Sequence, residues 1–144
     1  MIPDAQDRPK EILLVEDSIH DSKMVSWALG RNGRGKRLVT VVDGEEAMGH
    51  LRQDERIARP DLILLDLNLP KKDGWEVLAE CKADFQLRSI PIVIFSTSQL
   101  QSEVKRAYDL GANSFVAKPF DLEEFQRAIE MIENYWLGLS RSPL

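Results

Sequence analysis

The segment LILLD (residues 62–66) decides the fold of this chain, because a short, continuous apolar run ends directly in an acid. The same pattern occurs near the N-terminus, in ILLVED (residues 12–17). Two later apolar runs also end in polar side chains, in IVIFST (residues 92–97) and SFVAKP (residues 114–119). Runs of this kind are typical of parallel strands that are buried on both faces of a sheet.

Helical patterns lie between these runs, and a further strand is predicted at about residues 38–42. Five strands that alternate with five helices predict an α/β fold with a parallel sheet, right-handed crossovers and helices on both faces. The chain has 144 residues, which fits a single domain. We therefore expect a flexible lead-in at residues 1–10, one domain at residues 11–137 and a C-terminal tail at residues 138–144.

Composition excludes several classes of protein. The formal net charge of −5 argues against a nucleic-acid binder that is held by phosphate contacts. The single cysteine, Cys81, excludes an intramolecular disulfide and is expected to be a core residue. No apolar run is long enough to span a bilayer, and residues 1–10 do not resemble a signal peptide, so the cytoplasm is the expected compartment.

The polar side chains at the strand ends should share one crevice, because ligands bind outside the carboxyl ends of the strands in an open α/β sheet. That crevice would hold the carboxylates of Glu16, Asp17 and Asp66, a hydroxyl, and the amine of Lys118. Three neighbouring acids repel one another unless their pKa values rise or a cation compensates their charge. Since Mg²⁺ prefers oxygen ligands, the pattern predicts a site for Mg²⁺ and a phosphoryl group. Capping of the following helix is the ordinary alternative for Asp17.

This set of residues resembles the site of a response-regulator receiver domain of two-component signalling. The hydroxyl of Ser96 lies thirty residues after Asp66, and Lys118 follows twenty-two residues later. LLVED (residues 13–17) and DLNLPKKDG (residues 66–74) resemble the family's first and third strand-loop signatures. The resemblance implies a flavodoxin-like (βα)5 doubly wound sandwich whose five-stranded parallel sheet has the order 2-1-3-4-5.

The resemblance also implies a role for each residue. Asp66 resembles the phosphoacceptor, a carboxylate nucleophile that forms an acyl phosphate. Glu16 and Asp17 resemble the acid pair that holds Mg²⁺, with Asp66 and the backbone carbonyl of Asn68 completing the protein ligands. Lys118 resembles the lysine that pairs with a phosphoryl oxygen. The expected cofactor is therefore Mg²⁺.

Two further residues resemble the family's switch. Ser96 resembles the hydroxyl that moves to the phosphoryl group; Thr97 is the neighbouring alternative, and strand alternation favours Ser96. Phe115 resembles the aromatic switch residue, with plain core packing as an equal alternative. The family also leads us to expect a cis peptide bond between Lys118 and Pro119, since the cis form costs about 0.5–1 kcal/mol at proline.

The sequence most resembles the small receivers that partner phytochrome-type histidine kinases. It shares with them the LNLP loop (residues 67–70) and the aromatic-Trp end at Tyr135-Trp136. No output domain follows the predicted fifth helix, so we expect the signal to be read from the surface of this domain. The expected partner is a sensor histidine kinase, a phytochrome being the first candidate.

The last predicted helix carries more apolar residues than one face of the sheet needs. The residues at helical spacing that should face the sheet are Leu122, Phe125, Ile129 and Ile132. The surplus apolar residues near the C-terminus are Met131, Tyr135, Trp136 and Leu139. Contiguous apolar patches usually mark interfaces, so we predict a homodimer through the fourth and fifth helices and the tail. The alternative is that Trp136 folds back while the rest frays.

Other functions remain open beside that of a phosphoacceptor. A phosphorelay intermediate would pass the group on to a histidine phosphotransfer protein. A hydrolase with an aspartyl-phosphate intermediate would need an acid where Asn68 stands. A phosphorylation-independent docking module would usually lack one of the site residues. His20 and His50 do not suit the role of phosphodonor, as each is predicted on an exposed helix face. No enzymatic activity is expected beyond Mg²⁺-dependent self-phosphorylation and self-dephosphorylation.

Overall fold

The computed structural model describes residues 9–31, 36–53 and 59–141 of the chain. Its strands are β1 (Lys10–Val15), β2 (Lys36–Val41), β3 (Leu62–Leu65), β4 (Ile92–Ser96) and β5 (Ser114–Ala117). Its helices are α1 (Ile19–Arg31), α2 (Gly44–Leu51), α3 (Gly74–Ala83), α4 (Gln101–Asp109) and α5 (Leu122–Glu133). All neighbouring strands pair in parallel, in the order β2-β1-β3-β4-β5. The predicted (βα)5 fold and strand order are confirmed.

The central strands contribute side chains to two separate cores. On β1, Leu13 and Val15 face the core that includes α2, α3 and α4, whereas Ile12 and Leu14 face the core that includes α1 and α5. Successive side chains of a strand point to opposite faces, so a strand covered on both sides must be apolar throughout. This packing explains why the strand sequences are continuous apolar runs. Cys81 is fully buried in the first of these cores, as predicted.

Three helices begin with the same aspartate cap. In each case the aspartate side chain accepts a hydrogen bond from the backbone N–H three residues later, at 2.9 to 3.1 Å. The capping residues are Asp43 of α2, Asp73 of α3 and Asp121 of α5. Such a cap stabilises a helix by about 1 kcal/mol, because it satisfies a backbone N–H that has no partner within the helix.

The apolar face of α5 differs from the prediction at its first residue. Phe125, Ile129 and Ile132 are buried against the sheet, but the side chain of Leu122 is 54% exposed. Leu122 opens the helix at the sheet edge, and lies instead beside Trp27 of α1 in a surface cavity of about 250 Å³. The prediction was wrong there because helical spacing does not show which residues on the apolar side of a helix are covered by another element.

The C-terminal segment continues α5 as a π-helical turn, Asn134–Leu139. Trp136 packs in part against the core, while Met131, Tyr135 and Leu139 stay exposed. The surplus apolar surface is therefore present, without Trp136 at its centre. Of the predicted boundaries, residues 1–8 and 142–144 lie outside the described part of the chain, so the lead-in and the tail remain predictions.

Two basic residues pair with buried acids. Lys36 opens β2 and forms an ion pair with Glu133, which is 1% exposed. The side chain of His50 is 18% exposed, and its Nε2 lies 3.1 Å from a carboxylate oxygen of Glu11. The prediction of an exposed His50 was wrong because the residue faces the amino end of β1. Among the residues described above, no helix combines the length and apolar character that crossing a membrane requires.

Candidate functional site

The three predicted acids meet at the carboxyl edge of the sheet. Glu16 and Asp17 follow β1, and Asp66 follows β3; the two strands are direct neighbours, with Val15 opposite Leu65. One carboxylate oxygen from each acid lies within 4.8 Å of those of the other two. Glu16 and Asp66 are buried, while Asp17 is exposed at the mouth of the crevice. The arrangement gathers the oxygen ligands that a divalent cation prefers.

Glu16 is buried in the crevice, and each of its carboxylate oxygens has a partner. It is 3% exposed; one carboxylate oxygen contacts Lys118 and the other accepts the N–H of Ser18 at 3.2 Å. Burial raises the pKa of Glu16 to about 7, and the neighbouring charge of Asp66 adds to this rise, although Lys118 opposes it. The part of this rise that comes from Asp66 reflects repulsion between two neighbouring acids, which a bound cation relieves.

Lys118 binds three acids at once. It is 5% exposed, and its Nζ donates to Glu16, to Asp21 Oδ2 at 2.9 Å and to Asp66 Oδ2 at 3.1 Å. Burial alone would lower the pKa of Lys118, but the hydrogen bonds to Glu16 and Asp21 and the charge of Asp66 raise it above its ordinary value. The lysine is thus a fixed positive charge beside Asp66.

Asp21 is the site residue that sequence reasoning missed. It lies in the first turn of α1, where an acid is ordinary because it favours the helix N-terminus. Its place in the first turn of the helix that follows β1 was the available signal, since that turn lies close to the acids at the end of the strand. That position alone does not distinguish a contact with Lys118 from an exposed acid.

The peptide bond between Lys118 and Pro119 is trans, and no cis peptide bond occurs in the described ranges. The expected cis bond was therefore wrong. The isomers of a bond before proline differ by only about 0.5–1 kcal/mol, so the surrounding contacts decide between them. The backbone N–H of Lys118 donates to the carbonyl of Ser96 at 2.7 Å, and this hydrogen bond fixes Lys118 beside the end of β4.

The two candidate hydroxyls are separated by burial. Ser96 is the last residue of β4 and is fully buried, whereas Thr97 is exposed. The Oγ of Ser96 accepts the backbone N–H of Ser98 at 3.4 Å. Ser96 ends β4 on the same face as Ile92 and Ile94, whereas Thr97 follows the strand, so Ser96 is the hydroxyl that is shielded from solvent. Its role as a switch stays a prediction.

Phe115 lies on β5, opposite Ile94 of β4, and packs in part against the core that includes α4. Its backbone N–H donates to the hydroxyl of Tyr108 on α4 at 3.1 Å. Any displacement of β5 at this residue would therefore act on α4. Packing and a switch role are both consistent with this position, and the switch role stays a prediction.

The loop after Asp66 is held by backbone contacts. The N–H of Asn68 donates to Asp66 Oδ1 at 3.3 Å, and the N–H of Gly74 donates to the carbonyl of Leu67 at 3.0 Å. A Cβ atom at Gly74 would lie 2.2 Å from the carbonyl oxygen of Asp66, so this approach requires glycine. Asn68 is exposed at the edge of the crevice, and its carbonyl as a metal ligand stays a prediction.

Known proteins are similar in sequence to this chain over most of its length. The family model of the response regulator receiver domain matches residues 12–130. Response regulator Rcp1 of Synechocystis is 43% identical over 137 residues, covering 93% of this chain and 93% of its own length. The probable methanogenesis regulatory protein FilR2 of Methanothrix harundinacea is 42% identical over 137 residues, covering 94% and 88%.

Solved structures agree with these sequence matches. The phosphorylated cyanobacterial phytochrome response regulator RcpA superposes with a TM-score of 0.90 at 44% identity, over 94% of this chain and 99% of the other. The Mn²⁺-bound form of Rcp1 superposes with a TM-score of 0.88 at 42% identity, over 94% of this chain and 100% of the other. The fold described above is thus that of a known group of proteins.

Proposed function

Because the chain belongs to the family of response regulator receiver domains, we propose that it accepts a phosphoryl group from a histidine kinase on Asp66. Receiver domains are signalling modules rather than enzymes in the ordinary sense, and they act through phosphorylation. The observation that carries the assignment to Asp66 is its contact with the ammonium of Lys118 beside two further acids. The signal would be a phosphorylation-dependent change of surface.

The chemistry assigned to Asp66 is an in-line displacement at phosphorus. A carboxylate oxygen forms a new O–P bond while the bond between phosphorus and the donor's leaving group breaks, and the leaving group keeps the electron pair. Asp66 enters this reaction already oriented, with Oδ1 held by the N–H of Asn68 and Oδ2 by Lys118. The fixed charge of Lys118 stabilises negative charge on the transferring group.

Mg²⁺ fits the acid group as the proposed cofactor. Glu16, Asp17, Asp66 and the backbone carbonyl of Asn68 would hold it. The grouping of three acid oxygens within 4.8 Å of one another supports this assignment, because a bound cation relieves the repulsion between neighbouring carboxylates. When bound, the ion neutralises charge on the acids and on the phosphoryl oxygens. The solved Mn²⁺-bound form of Rcp1 supports a divalent cation in a relative of this chain.

Asp17→Asn is expected to weaken Mg²⁺ binding more than Glu16→Gln does. Both oxygens of Glu16 already have partners, in Lys118 and the N–H of Ser18, whereas Asp17 is exposed at the mouth of the crevice. Loss of a ligand typically raises the dissociation constant by about tenfold or more. A titration with Mg²⁺ that follows backbone NMR shifts measures both variants. The opposite order would show that the two acids have exchanged roles.

Incubation with acetyl phosphate and Mg²⁺, followed by intact mass measurement, tests the proposed function. A receiver gains the mass of one phosphoryl group and releases it slowly by self-dephosphorylation. A hydrolase with an aspartyl-phosphate intermediate would instead turn over the donor many times. A phosphorylation-independent docking module would show no gain in mass, and that result would overturn the proposal.

The phosphodonor proposed here is a sensor histidine kinase in the cytoplasm, with a phytochrome as first candidate. RcpA is described as a phytochrome response regulator, and this supports the candidate. FilR2 is named for methanogenesis at nearly the same identity, so identity alone does not select the signal. Comparing phosphotransfer rates from several purified, autophosphorylated kinases identifies the partner. Onward transfer to a histidine phosphotransfer protein in the same assay would identify a relay.

Replacing Met131 and Leu139 together by lysine is expected to dissociate a dimer of this chain. These residues are 65% and 78% exposed, so the change leaves the monomer's core intact while placing charges in the proposed interface. Sedimentation at tens of micromolar, with and without beryllofluoride, measures the assembly state. Phe85→Lys is the matched control, because Phe85 is 79% exposed and lies outside the proposed interface. A monomeric wild-type chain under both conditions would disprove the dimer.

A further inference from the structure

We propose that Asp21 is a positioning residue that competes with the phosphoryl group for the ammonium of Lys118. It thereby limits how tightly the crevice holds a phosphoryl group. The inference rests on the proposed function, since it concerns the same lysine and the same phosphoacceptor. It adds an acid on α1 to the residues that tune the reaction.

The contact of Asp21 with Lys118 uses the lysine's last donor. An ammonium group has three N–H bonds, and Lys118 directs them to Glu16, Asp66 and Asp21. The contact with Asp21 Oδ2 measures 2.9 Å, which is shorter than the 3.1 Å contact with Asp66 Oδ2. A phosphoryl oxygen can therefore gain a hydrogen bond from Lys118 only by displacing one of these carboxylates or sharing its donor.

Asp21 is not one of the acids that would hold the cation. The carboxylate oxygens that gather within 4.8 Å of one another belong to Glu16, Asp17 and Asp66. The side chain of Asp21 is 23% exposed and reaches Lys118 from α1, with its backbone N–H bound to the hydroxyl of Ser18. The carboxylate of Asp21 thus binds the lysine, and a substitution can remove its charge without removing a predicted metal ligand.

The negative charge of Asp21 opposes the anion that the crevice must accept. A phosphoryl group on Asp66 brings three oxygens and additional negative charge to within reach of Lys118. As long as Asp21 keeps its hydrogen bond to the lysine, its charge repels the phosphoryl group across a short distance in a partly buried site. Asparagine in its place keeps the size and the acceptor oxygen but removes the charge. Lys118 then remains in position, while its interaction with the anion strengthens.

Binding of beryllofluoride, a phosphoryl mimic, tests the inference with Mg²⁺ at saturation. Asp21→Asn is expected to bind the mimic about threefold to tenfold more tightly than the wild type and to react faster with acetyl phosphate. The gain should shrink between about 0.05 M and about 0.5 M salt, because salt screens charges at partly exposed sites. The matched control is Asp109→Asn, which removes an exposed acid at the end of α4. It is expected to change neither quantity.

The possible outcomes separate this inference from the proposed function. A wild-type chain that gains no phosphoryl group overturns the proposed function itself. A reactive wild type with an Asp21→Asn variant that binds beryllofluoride equally or more weakly overturns the inference alone. The Mg²⁺ affinity of the Asp21→Asn variant, measured in parallel, distinguishes an effect of the lost charge from an effect of a disturbed fold. Loss of charge strengthens binding of the anion without strengthening that of the cation, whereas a disturbed fold weakens both and would also overturn the inference.

Discussion

Asp66→Asn is expected to abolish the gain of one phosphoryl mass that acetyl phosphate and Mg²⁺ produce in the wild-type chain. A carboxamide has no carboxylate oxygen to attack phosphorus, so the loss should be complete rather than partial. The substitution conserves size, and Asp66 is 9% exposed with its backbone N–H bound to the carbonyl of Val15. We therefore expect the fold to persist, which far-ultraviolet circular dichroism checks.

The same experiment separates Asp66 from the other acids of the crevice. Glu16, Asp17 and Asp21 all remain in the Asp66→Asn variant, so any surviving gain in mass must come from one of them or from the surface. Such a gain would contradict the assignment of Asp66 as the only phosphoacceptor. Asp109→Asn serves again as the control, because it removes an exposed carboxylate outside the crevice and should be phosphorylated like the wild type.

Gly74→Ala is expected to destabilise the fold by about 3 kcal/mol. A Cβ atom at this position would lie 2.2 Å from the carbonyl oxygen of Asp66 and 2.6 Å from the Cα of Leu67. Both are backbone atoms, which cannot rotate away as the end of a side chain could. Relief requires the loop after β3 to move away from α3, at the cost of the hydrogen bond between Gly74 and Leu67. Urea denaturation at 25 °C measures the change in the free energy of unfolding.

Gly49→Ala provides the matched control for this substitution. Gly49 lies within α2, is exposed, and would have no atom within 4 Å of an added Cβ. There alanine should stabilise the helix by about 0.5–1 kcal/mol, because glycine loses more conformational freedom on folding. Equal stability of Gly74→Ala and the wild type would show that the close approach to Asp66 is not a constraint. We further expect slower phosphorylation of Gly74→Ala, since the relief moves the backbone that carries Asp66.

The buried strands and the acids at their ends could be predicted from the sequence for one physical reason, whereas the strand order was implied by the resemblance to receiver domains. Strands buried on both faces must be apolar throughout, so their ends are marked by the first polar residue. Parallel strands bring those ends to the same edge of the sheet, and Glu16, Asp17, Asp66 and Lys118 therefore meet without further information. The sequence also favoured Ser96 over Thr97, and in the structure Ser96 is buried at the end of β4 while Thr97 follows the strand and is exposed.

Contacts between side chains on different elements were decided only by the tertiary structure. Asp21 and Lys118 are 97 residues apart, and His50 and Glu11 are 39 apart, so no local pattern joins them. Helical spacing placed Leu122 on the apolar face of α5 but could not show that its side chain stays 54% exposed. Periodicity determines which side of an element is apolar. What that side meets, and which buried charges pair, depends on how the elements are placed in three dimensions.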